Sequence, residues 1–209
     1  MGMTEVEERP ILFTRENVVA IHENRKTETR RIIEAKHLPT SESYWKHAAD
    51  FDAQTGAWFW HHEFEFERFC WRFCPYGVVG DTLWVKETVR YRRYGSGKGE
   101  YQIAFDDDEP SWPTLSGRFM MRRYARLFLT ITNIRVQRLH EITEAEATLE
   151  GCEAWDMYHG HEGAHAVHTG QSTRQQFIEL WDRINKKRTP WNSNPFVWVI
   201  TFAKKSSKD

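Results

Sequence analysis

The sequence predicts one α+β domain in which strands outnumber helices. Runs rich in β-branched and aromatic residues predict strands at 82–87, 101–105, 126–136 and 196–202. Apolar residues at helical spacing predict helices near 15–24, 143–150 and 173–184. With 209 residues and neither an internal repeat nor a low-complexity linker, the chain fits a single domain that carries insertions.

Turn and capping residues bound the first helix and two of the strands. Thr14 follows the extended segment 11–13 and fits an N-cap, and Asn24 tolerates the left-handed conformation that ends a helix. Residues 74–81 have turn chemistry and lead into a strand, and Pro195 precedes the last strand.

The two later helices carry equally clear signals. Thr143 and Glu146 form a capping-box pattern, and Gly151 stops that helix. Ser172 or Thr173 caps the next helix, whose predicted apolar face holds Phe177, Leu180, Trp181 and Ile184.

Aromatic residues concentrate in three predicted polar insertions, at about 37–73, 92–118 and 155–172. The chain has ten tryptophans, an unusual number. Those that fall in the insertions are Trp45, Trp58, Trp60, Trp71, Trp112 and Trp155. By contrast, a packed core accounts for Trp84, Trp181 and Trp198. The tryptophan excess is therefore predicted to belong mainly to the insertions.

The composition narrows the function classes. Three cysteines cannot all pair, which argues against a secreted disulfide framework and predicts a reducing compartment. The acidic N-terminus lacks the apolar segment of a signal peptide. The longest apolar run, about 196–203, falls far short of the ~20 residues that a membrane span needs. We therefore expect a cytoplasmic protein with no membrane association.

Basic residues cluster although the formal net charge is only −1. Acidic residues gather at 106–109 and 141–153, so the near-neutral total does not exclude nucleic acid. Arginines interleaved with aromatic residues predict a polyanion-binding face, and ordinary solvated surface is the alternative for any one cluster. The candidate nucleic-acid-binding residues are Arg90, Arg92, Arg93, Arg122 and Arg123.

Two sets of residues have the composition of a metal site. His161 and His165 fit the H-E-x-x-H pattern of zinc proteases, but Gly160 and Gly163 oppose the helix that this chemistry needs, so we expect a His-rich loop. The second set matches no zinc-finger spacing: His61, His62, Cys70 and Cys74. Metal binding stays open for this set and for the loop histidines, His159, His161, His165 and His168.

Lys26, Thr29 and Glu150 are the leading candidates for catalysis. If residues 24–31 form a turn or helix, Lys26 and Thr29 share a face, whereas in an extended segment a shared site requires a bulge or bend. A lysine of lowered pKa can activate a threonine hydroxyl, and a carboxylate can transfer the proton. Solvated Lys and Thr side chains without a catalytic role are the alternative.

Four segments, in this order, resemble the ASCH domain, a PUA-like fold. Residues 25–30 are similar to its G-x-K-x-x-x-x-R signature region, and the resemblance continues in 80–87, 139–151 and 191–200. The order is especially similar to the ASCH-like proteins of bacteriophages and prophages, and it covers most of the chain outside the insertions. Asn24 stands where the signature has Gly, and Asn can still adopt a positive φ.

The resemblance implies a small PUA-like β-barrel flanked by helices, with a cleft that binds RNA or modified bases. Bacterial N4-acetylcytidine amidohydrolases of this superfamily use a Lys, a Thr three residues later and a Glu in the helix after the long strand. Lys26, Thr29 and Glu150 match these positions. Thr29 would attack the acyl carbon or orient a water, Lys26 would activate or stabilise, and Glu150 would pass a proton to the leaving amine, with no metal or other cofactor.

The sequence also predicts residues that surround this site. The substrate-binding candidates are Arg25, Arg30, Trp84, Lys86, Glu87, Trp191 and Asn194. For Asn194, a turn role is the favoured alternative. The expected partner is RNA, DNA or a modified nucleoside. Alternative functions are a non-catalytic reader of RNA or DNA, a ribonuclease that uses the same Lys and Thr, and a phage accessory protein that binds a host protein through its aromatic insertions.

Overall fold

The main sheet of the molecule draws its strands from both ends of the chain. The computed structural model describes residues 6–34, 50–52, 57–61, 68–93, 101–104, 111–153 and 172–205. Its strands and helices are, in order, β1 (Glu8–Leu12), α1 (Arg15–His22), β2 (Glu28–Ile32), β3 (Asp50–Asp52), β4 (Ala57–His61), β5 (Arg68–Arg72), β6 (Thr82–Lys86), β7 (Val89–Arg93), β8 (Tyr101–Ala104), β9 (Thr114–Leu115), β10 (Phe128–Arg138), α2 (Glu144–Leu149), α3 (Thr173–Asn185) and β11 (Phe196–Lys204).

Five strands form this sheet in the order β1-β6-β10-β11-β2. β1 pairs with β6 in parallel, and the other neighbours are antiparallel. The longest pairing joins β10 to β11, from Leu129 opposite Lys204 to Arg138 opposite Phe196. The predicted α+β class is therefore confirmed. Within the described residues the sheet is open, with β1 and β2 at its edges, so the PUA-like barrel stays a prediction.

Local capping chemistry sets the helix boundaries as predicted. Thr14 caps α1 with its side chain, and Asn24 turns the chain at a φ of 59° shortly after that helix. Thr143 and Glu146 form the predicted capping box at the start of α2. Gly151 follows α2 at a φ of 88°, a conformation that favours glycine. These short-range signals fix the two chain reversals on which the candidate site depends.

The two faces of the main sheet pack against different apolar clusters. The α1 face carries Trp198 and Ile200 and packs against α1 and Phe13. The α2–α3 face carries Val197 and Val199 and packs against Ala147, Phe177, Trp181 and Trp191. Alternate residues of a strand point to opposite faces of the sheet. The register of β2 with β11 therefore tells which of the two faces each β2 residue occupies.

The third helix departs from its predicted apolar face at one position. Ser172 caps it, and Phe177 and Trp181 are buried as predicted. The prediction is wrong for Ile184, which is 54% exposed, so the apolar contact ends at Trp181. No helix among the described residues is both long and apolar enough to cross a bilayer.

Two of the predicted insertions contribute strands. Strands β3, β4 and β5 form one three-stranded sheet, and β8, β7 and β9 form another. Trp58 of β4 is buried, and its ring centroid lies 5.6 Å from that of Trp198 in an edge-to-face arrangement. Trp58 therefore belongs to the core of the α1 face. Trp45, Trp155 and the rest of the 155–171 stretch lie outside the described residues.

We expect Trp58→Ala to lower the free energy of unfolding by ~3–5 kcal/mol, because it removes a buried indole and its ring contact. Urea denaturation followed by circular dichroism measures this change. Phe73→Ala is the matched control, since Phe73 is 63% exposed and should change stability by less than ~0.5 kcal/mol. Equal stability of the two variants would place the 37–73 insertion outside the cooperative core.

Candidate functional site

The start of β2 lies beside the end of α2 at one edge of the main sheet. Lys26 and Glu150 form an isolated antiparallel bridge, and the amide of Thr27 donates to the carbonyl of Leu149 at 2.9 Å. Gly151 permits the close approach, because a Cβ on it would lie 3.2 Å from the Cβ of Lys26. Segments 124 residues apart therefore meet through their backbones.

The ammonium group of Lys26 is buried against Glu150. Its Nζ donates to the Glu150 carboxylate Oε2 at 2.6 Å and to the Glu150 carbonyl at 2.8 Å. The two side chains are only 2% and 5% exposed, so the solvated alternative does not fit Lys26. Burial lowers the pKa of Lys26, and the charge and hydrogen bond of Glu150 oppose that shift. The contact allows direct proton exchange between the two groups.

The second oxygen of the Glu150 carboxylate accepts from Arg30. Nη1 of Arg30 donates to Glu150 Oε1 at 3.2 Å and to Glu28 Oε1 at 2.9 Å, and Nη2 lies 3.2 Å from a carboxylate oxygen of Glu146. The Arg30 side chain is 0% exposed. The structure places this predicted substrate-binding residue between buried carboxylates.

Arg135 completes this network between the sheet and α2. It donates to both oxygens of Glu28, at 2.8 and 3.1 Å, and to Glu146 at 2.5 Å. Burial alone would raise the pKa of Glu146, but the Thr143 amide, Arg30 and Arg135 together hold it below its ordinary value. The network balances the cations Lys26, Arg30 and Arg135 against the carboxylates Glu28, Glu146 and Glu150. Such balance is what allows charges to remain buried.

Thr29 lies on the α1 face, opposite Arg30. It is 4% exposed and pairs with Ile200 across β2 and β11. Lys26 Nζ also lies over that face, 5.8 Å from the centroid of Phe13. Among the described residues the Thr29 hydroxyl makes no hydrogen bond, so it contacts neither Lys26 nor Glu150 directly. The structure thus joins two of the three catalytic candidates and places the third on the same side of the strand.

Arg31 is a residue of this site that the sequence-based set omits. Its guanidinium lies 5.0 Å from the centroid of Phe13, and Nη2 donates to the carbonyl of Leu12 at 2.7 Å. Burial lowers the pKa of Arg31, and the charges of Tyr76 and Glu150 oppose this shift. The signal was available in the sequence, because strand alternation places residue 31 on the same face as Thr29.

Three substrate-binding candidates lie on or after β6, away from Lys26. Lys86 Nζ lies 5.6 Å from the Trp84 ring centroid and donates to the Arg118 carbonyl at 2.6 Å. Glu87 accepts two hydrogen bonds from Arg126, at 2.9 and 2.8 Å. In the sheet, β10 and β11 lie between β6 and β2, so the axes of β6 and β2 are three strand spacings, or ~14 Å, apart. These residues do not converge with Lys26 and Glu150.

The remaining substrate-binding candidates make structural contacts. Trp191 stacks on His140 at 4.5 Å within the α2–α3 cluster. Asn194 adopts a φ of 42°, and its Oδ1 accepts from the His140 amide at 2.8 Å, so it fits the turn alternative. Arg25 pairs with Glu23, and with Glu153 at 3.0 Å.

The predicted nucleic-acid-binding arginines divide by their contacts. Arg122 forms two hydrogen bonds with the Glu8 carboxylate, at 2.5 and 2.9 Å, which partly neutralises it. Arg90 donates to the Trp112 carbonyl at 3.1 Å. Arg92 lies 5.0 Å from the Trp112 ring centroid, and Arg123 lies 4.9 Å from that of Tyr124. The backbone of Arg93 lies in β7, and its side chain is outside the description.

Candidate metal ligands fall mostly outside the described part of the chain. This applies to His62, His159, His161, His165 and His168, and to the side chains of His61 and Cys70. Among the described residues, no three His, Cys, Asp or Glu side chains form a set that could hold a metal ion. For both sequence-based sets, metal binding stays the open alternative to the predicted site without metal.

Two described cysteines are expected to resist alkylation. Cys74 and Cys152 are free and buried. Burial raises the pKa of Cys74 to about 12 and that of Cys152 to about 11, so neither forms much of the reactive thiolate near neutral pH. After treatment of the native protein with iodoacetamide, peptide mapping should find both unmodified, and denatured protein is the control. Rapid native labelling of either residue would contradict this placement.

Comparison with protein-family models, with curated proteins and with solved structures gave no match. The family resemblance of the four sequence segments therefore stays a prediction.

Proposed function

We propose that the chain is an ASCH protein with a PUA-like fold that hydrolyses an acyl amide on cytosine, as in N4-acetylcytidine. The 2.6 Å contact between Lys26 Nζ and Glu150 Oε2 carries this proposal. The two residues match the family's catalytic positions separately, and they lie 124 residues apart in the sequence. Their meeting in one buried pair is what a shared catalytic role requires.

The hydrolysis needs an oxygen nucleophile, a base and an acid. Lys26 and Glu150 rest as an ion pair, and loss of one proton turns Lys26 into the neutral amine that acts as the base. The Thr29 hydroxyl, or a water that it holds, attacks the acyl carbon and gives its proton to this amine. The proton passes to Glu150, the C–N bond breaks, and Glu150 protonates the departing N4 amine. Where Thr29 itself attacks, a water hydrolyses the resulting ester. Both routes yield the carboxylic acid and cytidine.

The electrostatics of the pair support these roles. Burial favours the neutral form of Lys26, which a base requires, because it lowers the pKa of this lysine. The short contact with Glu150 supplies a path for the proton. The Thr29 side chain lies on the same face of β2 as the Phe13 ring over which Lys26 Nζ lies.

Incubation with N4-acetylcytidine tests the proposal. The wild-type protein should release cytidine and acetate in equal amounts, measured by chromatography. Thr29→Val should lower kcat by at least ~100-fold, because it removes the hydroxyl while keeping the side-chain shape. Thr132→Val makes the same exchange at an exposed β10 position and should leave kcat unchanged. Absence of turnover with every acylated cytidine supplied would reject the hydrolase.

A non-catalytic reader of RNA or DNA is the second candidate. The observation that favours it is the pair of exposed guanidinium groups, Arg92 and Arg123, that lie over aromatic rings. Arginine on an aromatic ring offers both charge and a flat surface to a nucleic-acid strand. The reader predicts binding that weakens with salt and with Arg92→Ala plus Arg123→Ala, as fluorescence anisotropy would measure. Binding that is indifferent to both changes would count against it.

A further inference from the structure

We infer that Arg30 is a positioning residue, which fixes the Glu150 carboxylate against Lys26 and does not itself contact the substrate. The inference rests on the proposed function, because it assigns Arg30 a role through the catalytic carboxylate. It replaces the substrate-binding role that the sequence alone suggested for this arginine.

The geometry at the carboxylate supports this assignment. Each oxygen of Glu150 has its own cation: Oε2 accepts from Lys26 at 2.6 Å, and Oε1 accepts from Arg30 at 3.2 Å. Lys26 approaches from the α1 face, over Phe13, whereas Arg30 belongs to the α2–α3 face. A carboxylate held from both faces of the strand edge cannot rotate without breaking one of the two hydrogen bonds.

Arg30 is itself held on its far side. The same Nη1 donates to Glu28 at 2.9 Å, and the guanidinium lies 5.8 Å from the ring centroid of Phe177 on α3. Glu28 in turn accepts hydrogen bonds from Arg135 and, at 3.2 Å, from the Thr201 hydroxyl. Because Nη1 binds Glu28 and Glu150 together, the contact with Glu28 also holds the guanidinium in place beside Glu150.

The test compares Arg30→Lys with Arg126→Lys. Both exchanges keep the charge and disturb an arginine–carboxylate contact, but Arg126 contacts Glu87 after β6, outside the network that holds Glu150. The lysine ammonium ends about one bond short of Nη1 and cannot bridge Glu28 and Glu150 as the guanidinium does. Arg30→Lys should lower kcat on N4-acetylcytidine at least ~10-fold with KM within ~2-fold, while Arg126→Lys leaves kcat within ~2-fold. Equal effects of the two variants would overturn the inference.

A measurement without substrate separates this inference from the proposed function. The pKa of Lys26 can be followed by NMR of the ¹³C-labelled lysine side chain. Shortening Arg30 frees the carboxylate to rotate, so its average contact with Nζ weakens, the charged form of Lys26 loses support and the pKa of Lys26 falls in Arg30→Lys. It should not change in Arg126→Lys. An unchanged or higher value in Arg30→Lys would overturn the positioning role, whether or not the protein shows hydrolysis.

Glu28→Gln provides a second variant should Arg30→Lys not fold. It weakens the far-side anchor of Arg30 without touching Glu150. We expect a kcat at least ~3-fold lower and a fall of the Lys26 pKa in the same direction as in Arg30→Lys. A folded Glu28→Gln protein with wild-type values of both would reject the inference.

Discussion

Lys26→Met is expected to lower kcat on N4-acetylcytidine by ~10²–10⁴-fold, the range for loss of a positioned proton-transfer group. Methionine fills a similar volume but cannot accept or donate a proton. The Glu150 carboxylate keeps its second cation, since Arg30 still donates to it at 3.2 Å. Steady-state release of cytidine, measured across a pH series, gives kcat.

The control for this change is Lys204→Met. Lys204 is exposed, and within the described residues its one hydrogen bond goes to the His22 carbonyl at 3.2 Å, so its loss should leave kcat unchanged. Wild-type activity in Lys26→Met would show that Lys26 is not the base of the reaction. The melting temperature is measured on the same samples, because a large drop would show that activity is lost through unfolding.

Glu150→Ala is expected to lower the free energy of unfolding by ~3–5 kcal/mol. The change leaves the Lys26 ammonium, 2% exposed, without its carboxylate, and it removes one acceptor of Arg30. Urea denaturation measures the difference. Glu153→Ala is the matched control, because Glu153 pairs with Arg25 at the surface and such pairs contribute at most ~1 kcal/mol. Equal stability of the two variants would show that the Lys26–Glu150 pair is not a buried ion pair in solution.

The double variant Lys26→Met plus Glu150→Leu separates buried charge from lost packing. Removing both charges replaces the pair with apolar side chains of similar volume, an exchange that is often neutral for stability. Most of the stability lost in Glu150→Ala should therefore return. If the double variant is as unstable as Glu150→Ala, the lost stability comes from the backbone bridge or from Arg30 and not from the unpaired charge.

The parts of the fold that the sequence predicts are those governed by neighbouring residues. Thr14, Thr143 and Glu146 satisfy backbone groups within one helical turn, so their capping roles follow from local spacing. Asn24 and Gly151 likewise turn the chain through their own conformational freedom. The pairing of β1 with β6, in contrast, depends on contacts between distant segments, which local patterns do not specify.

The candidate site was predicted only in part, for the same reason. Spacing alone does not bring Glu150 to Lys26, and that pairing followed from the family resemblance. The sequence predicts that Arg30 binds substrate, but α2 and α3 cover that face of β2. Trp58 appeared to belong to a separate insertion, although its ring completes the core beside Trp198. Both differences arise where tertiary packing decides what a side chain meets.

Cytidine release by the wild-type protein and by the Lys26→Met plus Glu150→Leu double variant tests the central claim most directly. The double variant keeps the apolar volume of the pair and lacks its proton chemistry, so stability and catalysis are separated in one comparison. We expect the wild type to convert N4-acetylcytidine to cytidine and the folded double variant to release none above the uncatalysed rate. Equal release by both proteins, or none by the wild type, would contradict it.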